Sequence, residues 1–229
     1  LKTIASNFQL ATERIAAERE TKHQLVQKTA LLKEVHHRTK NNIVAIESLL
    51  FLQIQKCTDE PAVEILHDAI NRVKSMRSLY EHLLVSDDFS NILVKDYVTS
   101  LIEKVSLFIL DPARIDIRFQ IDEFSLDSKR VFSLGIIINE LLTNAAKYAF
   151  NGLATGNVFI QIVQQADKII VSVHDDGVGL PHDFSIEKSK GSGLMLVNML
   201  TQELKGELYI DRPDSTPGTR VIIKFPIGL

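Results

Sequence analysis

The sequence predicts an α+β chain: a helical region of about 90 residues, followed by a domain in which helices cover one face of a mixed sheet. Three observations carry this expectation. Residues 1 to about 55 contain no Gly or Pro and repeat apolar side chains at helical spacing. Past residue 91 strand-like and helix-like segments are mixed without the regular alternation of a doubly wound fold. Glycine-rich turns, "DDGVGLP" and "KGSGLMLV", then punctuate the second part.

Taken in order, Leu25, Leu32, Val35, Thr39, Ile43, Ile46 and Leu50 mark one face of a single long helix, or of two nearly continuous ones. "KCTDEP" breaks it, and Pro61 suits the first turn of a second helix. That helix carries Val63, Leu66, Ile70, Val73, Met76, Leu79, Tyr80 and Leu83 on one side. Two amphipathic helices of this kind cannot bury their stripes alone, so a second copy completing a four-helix bundle is expected. The composition changes around "SDDFSNI", residues 86 to 92, where the domain boundary is expected. Residues 1–30 then form a connecting helix, 31–90 the paired helices and 91–229 the mixed domain. Within the latter, a helix over about 93–109 leads to the strand "RIDIRFQI", whose alternation is expected to bury Ile115, Ile117, Phe119 and Ile121. Ser128 is the expected cap of a long apolar helix running through Phe150. "NVFIQIVQQ" and "KIIVSVHD" form a hairpin about Ala166-Asp167. "KGSGLMLV" opens a helix to about residue 204, and "GELYI" and "GTRVIIKFP" are the closing strands.

Composition narrows the function classes. The chain has 229 residues, 45% apolar and 24% charged, ordinary for a globular protein. No apolar run approaches the roughly 18 residues that cross a bilayer. The single Cys57 excludes a disulfide within one chain and any zinc site built from several cysteines, which makes a reducing, cytoplasmic setting the default. Net charge is −3, without a basic stripe, so nucleic acid is not an expected partner. Leu1 opens the chain and residues 1 to 33 read as helix without a domain of their own, so an upstream part is expected.

Chemistry concentrates at three places. In "NELLTNAAKYAF", Glu140, Asn144 and Lys147 recur at i, i+4 and i+7 on a helix otherwise made of Ile, Leu and Ala. A carboxylate, a carboxamide and an ammonium in that row suit a phosphate with its magnesium; the alternative is a solvated helix face. In "DDGVGLP" an acid precedes two glycines at a strand end, where missing side chains let a ligand ring approach the backbone. In "GSGLMLV" a helix opens at Gly193, and free amides at a helix start favour phosphate.

Together, in this order, residues 139 to 226 resemble the ATP-binding domain shared by histidine kinases, gyrase B, Hsp90 and MutL, a Bergerat-type α/β sandwich. "NELLTNAAKYAF" matches its N box, "DDGVG" and "GSGLMLV" its two glycine boxes, and "GTRVIIKFP" its closing strands. The resemblance implies ATP and Mg2+ as ligands. It assigns Asn144 to magnesium, Asp175 to the adenine amine, Gly177 and Gly179 to the walls of that pocket, and Gly191 and Gly193 to the lid and phosphate site. Thr219 would sit beside Asp175, and Lys147, Tyr148 and Leu194 would complete the nucleotide site.

The stretch "EVHHRTKNN", residues 34–42, resembles the phosphoacceptor box of the histidine-kinase subtype marked by HHRxKNN, a relative of the HWE kinases. The HWE group proper carries Trp-x-Glu near the first glycine box, and this chain has no Trp. At about 100° per residue, His36 falls at the edge of the apolar stripe and His37 nearly opposite its centre, facing outward. A nucleophile must be reachable by ATP held on another domain, so His37 is the expected phosphoacceptor and His36 a packing neighbour. Neutral imidazole can attack a terminal phosphoryl group, with Arg38, Lys40 and Asn41 steadying its charge. Commoner histidine kinases place an acid directly after that histidine; here Arg38 stands there, leaving Glu140, Glu34 or water as the base.

The resemblance thus implies the kinase portion of a sensor histidine kinase. It would phosphorylate itself on His37 from ATP and pass the phosphate to an aspartate on a response regulator receiver domain. It would pair as a homodimer through its helical hairpin, below an upstream sensor domain. Two alternatives stay open: an ATP-independent histidine phosphotransferase or phosphatase of the same ancestry, and a regulatory protein that nucleotide merely switches.

Overall fold

The computed structural model describes residues 2–83, 91–108, 114–181, 184, 192–211 and 217–228. Internal contacts divide the chain into two compact units, Leu1–Val73 and Lys74–Leu229. Residues 84–90, which include most of the segment where composition changes, lie outside the described residues.

The first unit is helical. One uninterrupted helix, α1, spans Lys2–Lys56, and α2 spans Glu60–Leu83. Asp59 starts α2: its carboxylate accepts the Ala62 N–H at 3.3 Å and its carbonyl the Val63 N–H at 3.0 Å. Pro61 occupies the first turn, where no backbone N–H is required. The apolar stripe is only partly covered: Val35 is 55% and Ile46 49% exposed, whereas Ile43, Leu50, Val63, Leu66 and Val73 are half-buried. Ile70 is buried. Further along α2, Met76 and Leu79 belong to the core of the second unit, and Tyr80 meets the Phe132 ring edge-on at 5.8 Å. Among the described residues no helix is long and apolar enough to cross a membrane.

The second unit is a two-layer α/β sandwich. Its strands are β2 (Ile115–Ile121), β4 (Gly156–Gln165), β5 (Lys168–Asp175), β6 (Glu207–Asp211) and β7 (Thr219–Pro226), in the order β2-β4-β5-β7-β6. A separate two-residue antiparallel pair joins β1 (Ile92–Leu93) to β3 (Ser125–Leu126). Among the described residues only β2 and β4 run parallel, because the chain between them detours through a helix; the other pairings are antiparallel. The helices are α3 (Val94–Phe108), α4 (Ser128–Asn144) and α5 (Ser192–Glu203). They share one core with Ile160 and Ile162 of β4, Ile169 and Val171 of β5, and Ile223 and Phe225 of β7. Alternate residues, among them Gln161, Ser172 and Ile222, line the opposite sheet face. The sheet is therefore mixed and covered by helices on one face, as the sequence predicts.

Three local expectations are corrected. Phe119 is 43% exposed although Ile121, two residues on, is buried and Ile115 and Ile117 pack against the core; β2 is an edge of the sheet, with a neighbour on one side. The cap of α4 is Asp127, whose carboxylate accepts the Arg130 N–H at 3.0 Å, so Ser128 is already inside the helix. The α-helical pattern does not continue to Phe150: it ends at Asn144, and Ala145–Ala149 form a π turn. At the other end of α4, the Arg130 guanidinium donates to the carbonyls of Ile227 and Pro226 and lies over the Phe225 ring, fastening the end of β7.

Candidate nucleotide site and phosphoacceptor helix

β5 delivers Asp175 to the end of the sheet facing the helices. Its register partner on β7 is Thr219, whose N–H donates to Asp175 Oδ1 at 3.3 Å. The Gly177 N–H donates to the same oxygen at 3.1 Å. Asp175 is only 9% exposed. Burial raises its pKa above the ordinary value; the two amide bonds and neighbouring His174 pull it partly back, and Asp176 pushes it up. One carboxylate oxygen is thus held by backbone donors, and the other is not engaged by either of them. That is the geometry of an acceptor offered to a ligand's N–H.

The glycines around it are there because nothing larger fits. A Cβ on Gly177 would lie 2.2 Å from the Ala149 carbonyl oxygen, and one on Gly218 would lie 1.8 Å from the Asp175 carbonyl oxygen. Gly179 has a φ of 74°, open to glycine without strain, and stands against the Gly218 backbone. The Val178 N–H donates to the Ala149 carbonyl at 2.8 Å. The turn after β5 is thereby held between the end of the π turn on one side and the start of β7 on the other.

The polar row of α4 is not a solvated face. Glu140 is 2% exposed and engaged by a neighbour, Asn144 is half-buried, and Lys147 and Tyr148 are exposed. Asn144 is the last α-helical residue, and Lys147 and Tyr148 ride on the π turn that follows it. Gly193 and Leu194 form the first turn of α5, Gly193 buried and Leu194 packed on the core. Gly191 and nearly all of the expected lid, residues 182–183 and 185–191, lie outside the described residues.

A metal held mainly by protein would need clustered ligands, and the described residues contain no group of three His, Cys, Asp or Glu placed to form one. The donor that is present, a half-buried carboxamide at a helix end, suits magnesium bound largely through phosphate oxygens and water.

On α1, His37 is exposed, as the helical phase requires. Arg38 Nε donates to Glu34 Oε1 at 2.8 Å, one turn back along the surface. Asn41 is exposed and Lys40 half-buried and engaged by a neighbour. The His36 side chain lies outside the described residues. The structure thus groups Asp175, Gly177, Gly179 and Thr219 within the second unit, and places His37, Arg38, Lys40 and Asn41 on one stretch of the first.

Ala149, Asp176, Asn157 and Gly218 also build the site and were not singled out by sequence. Gly218 had a signal, since it directly precedes the strand whose first residue pairs with Asp175. Ala149 had none, because its contribution is a backbone carbonyl.

Comparison with known proteins places both regions. A histidine kinase family model matches residues 34–109, and one for histidine kinase-, DNA gyrase B-, and HSP90-like ATPases matches residues 131–229. The chain is 35% identical over 210 residues to the sensor histidine kinase PdtaS of Mycobacterium tuberculosis, an alignment covering 89% of this chain and 41% of that protein. It is 27% identical over 202 residues to blue-light-activated histidine kinase 2 of Erythrobacter litoralis, covering 86% and 57%. It therefore spans about two fifths of the length of the first of these relatives. Among solved structures, the histidine kinase domain of Erythrobacter litoralis EL346 blue-light activated histidine kinase superposes with a TM-score of 0.62 at 22% identity, over 82% of this chain and 94% of that one, a likeness of fold. With a histidine kinase match over residues 34–109 and an ATPase match over residues 131–229, the chain belongs to the histidine kinases.

Proposed function

We propose that this chain phosphorylates itself on His37 from ATP and passes the phosphoryl group to an aspartate on a response regulator receiver domain. The observation that supports this best is the pairing, in one chain, of an exposed His37 with a buried Asp175 whose carboxylate is half-committed to backbone amides. An exposed imidazole is free to meet a phosphate; a desolvated, oriented carboxylate is suited to read an amine on a purine.

In the proposed reaction, an imidazole nitrogen of His37 attacks the γ-phosphorus of ATP. The new N–P bond forms as the bond to the bridging oxygen breaks, ADP leaves, and the imidazole gives up its N–H proton. Arg38, Lys40 and Asn41 lie within one turn of His37 and supply cationic and amide donors for the phosphoryl oxygens. The adenine amine donates to Asp175, with Gly177, Gly179 and Thr219 shaping the pocket. On this reading Lys147 and Tyr148 of the π turn, with Gly191, Gly193 and Leu194, would serve the triphosphate, and Asn144 would hold magnesium. Magnesium, when bound, neutralises charge on the β- and γ-phosphates. The proton acceptor is one of Glu140, Glu34 and water. The receiver aspartate then takes the phosphoryl group and frees the imidazole.

The exposed stripe residues Val35 and Ile46, with exposed Leu49 beside them, support pairing of two copies. The length of the relatives supports a sensor domain elsewhere in the full protein. The divisions 1–30, 31–90 and 91–229 are proposed as connector, phosphotransfer helices and ATP-binding domain.

The test is labelling with γ-labelled ATP. His37→Gln should eliminate incorporation while sparing ATP binding and thermal stability, and His36→Gln should retain it. The product should be acid-labile and base-stable, as a phosphoramidate is, and should be discharged by a cognate receiver domain. Labelling that persists in the His37 variant and vanishes in the His36 variant would move the phosphoacceptor by one residue. Nucleotide binding without any labelling would favour a protein that nucleotide only switches.

A further inference from the structure

The second acid of "DDGVG" has a role that the adenine contact leaves unassigned. Asp176 follows Asp175 directly, yet its carboxylate is engaged elsewhere. Its Oδ1 accepts the Asn157 backbone N–H at 2.6 Å, and its Oδ2 accepts the Asn157 side-chain amide at 2.7 Å. The Asp176 N–H in turn donates to the Asn157 carbonyl at 3.1 Å. Three hydrogen bonds thus join one residue of the turn to one residue near the start of β4. They extend the ladder that pairs Val158 with Asp175 by one further position.

Asn157 is itself well anchored. Its neighbour Gly156 donates its N–H to the Arg114 carbonyl at 2.9 Å, and a Cβ on Gly156 would run into the Phe150 ring at 2.0 Å. The turn after β5 therefore has successive attachments in three directions: Asp175 to β7 through Thr219, Asp176 to β4 through Asn157, and Val178 to the π turn through Ala149. Loss of the Asp176 carboxylate removes the side-chain hold of the turn on β4 and leaves there only the backbone bond from the Asp176 N–H and the ladder at Asp175.

We propose that Asp176 is a positioning residue for nucleotide recognition: with both carboxylate oxygens committed to Asn157, it fixes the turn that aims Asp175 at the base. This rests on Asp175 being the residue that reads the adenine amine. Both bonds are charge-assisted and together they engage the carboxylate bidentately, so their geometry is narrow. A neutral side chain at position 176 retains one acceptor, but its amide group then confronts the Asn157 amide, donor against donor.

That conflict makes the inference testable by exchange. In Asp176→Asn combined with Asn157→Asp, the new carboxylate at 157 accepts the new amide at 176, and the backbone N–H of 157 keeps its acceptor. Both bonds are restored, the side-chain pair with donor and acceptor reversed and the backbone bond in its original direction. The readout is the ratio of affinities for ATP and for a purine nucleoside triphosphate lacking the exocyclic amine, measured by equilibrium binding on the full 229-residue chain. Each single variant should lose about tenfold in ATP affinity, the loss that goes with one charge-assisted hydrogen bond. The ratio should collapse toward one, since the triphosphate contacts are shared by both ligands. The double variant should recover the ratio to within about twofold.

A merely structural bond would lower thermal stability in the single variants and leave the ratio unchanged; that result overturns the proposal, as does a double variant with no recovery. Asp175→Asn serves as the reference. If it leaves the ratio unchanged, the adenine assignment fails and the role of Asp176 fails with it. If it collapses the ratio while Asp176→Asn and Asn157→Asp do not, only the positioning role fails.

Discussion

Asp175 and Thr219 face each other across β5 and β7, and the Thr219 N–H is directed into the Asp175 carboxylate at 3.3 Å. The bond orients the carboxylate, but burial dominates and holds its pKa above the ordinary 3.8. A carboxyl group raised in this way adds stability below 3.8, and that contribution is lost as pH rises through the elevated value. At neutral pH the ionised group is therefore a net cost to the unliganded fold. Asp175→Asn keeps an oxygen for the Thr219 and Gly177 amides and removes the charge. It should stabilise the unliganded chain at pH 7 by about 1 kcal/mol, the size common for relief at a functional position. The gain should shrink as pH falls toward 3.8, and ATP affinity should drop. Denaturant unfolding across pH, beside a nucleotide titration, checks both; a variant that is less stable at pH 7 would contradict the sign.

Asn144→Asp should reduce labelling at least about a hundredfold, the scale seen when a group facing transition-state charge is replaced. The change adds negative charge beside the triphosphate with almost no change in side-chain size. Asn144 is half-buried at the end of α4, so the melting temperature should move little. Full labelling at saturating magnesium would remove Asn144 from the metal site.

Ile46→Glu should disrupt pairing of two copies. Ile46 is 49% exposed within an apolar stripe, and placing a carboxylate in a paired, dehydrated seam forfeits burial and adds a desolvation cost. The dimer dissociation constant should rise at least about a hundredfold by analytical ultracentrifugation. An unmutated chain that stays monomeric at high concentration would refute a partner copy on this stripe.

Lys205→Gly should stabilise the second unit by about 1 kcal/mol. Lys205 ends α5 with a φ of 55°, and its N–H donates to the Gln202 carbonyl while the Gly206 N–H reaches back to that of Thr201. That is a Schellman ending with lysine at the left-handed position that glycine occupies without strain. Thermal unfolding of the single variant is sufficient, and unchanged or lower stability would show that the lysine is not strained there.

Much of this arrangement was legible in the sequence because it depends on local rules. The break at Cys57–Asp59 and the hairpin turn at Ala166 follow from periodicity and turn chemistry. The pairing of Asp175 with Thr219 was expected from the family resemblance. Other features depend on contacts between distant segments. Phe119 obeys the alternation of a buried strand yet is exposed on β2, an edge of the sheet, which a single strand cannot reveal. Glu140 sits in a polar row that suits a solvated face equally well, and only the packing of α4 beneath the other helices shows it to be buried. Asp176 reads as a second surface acid until β4 is laid beside it.

The π turn at Ala145–Ala149 amounts to one residue absorbed into a helix without breaking it. Upstream of it α4 is locked by its packing, buried at nearly every position from Arg130 to Leu142, so it has no freedom to rotate toward a ligand. The extra residue shifts the helical phase beyond Asn144, so that Ala145 and Ala149 stay in the core while Lys147 and Tyr148 are exposed. Lys147, Tyr148 and the Ala149 carbonyl take their direction from the turn rather than from the core. Replacement of Lys147 or Tyr148 is therefore compatible with the packing of α4, whereas a larger side chain at Ala145 or Ala149 strains the core from within the same turn.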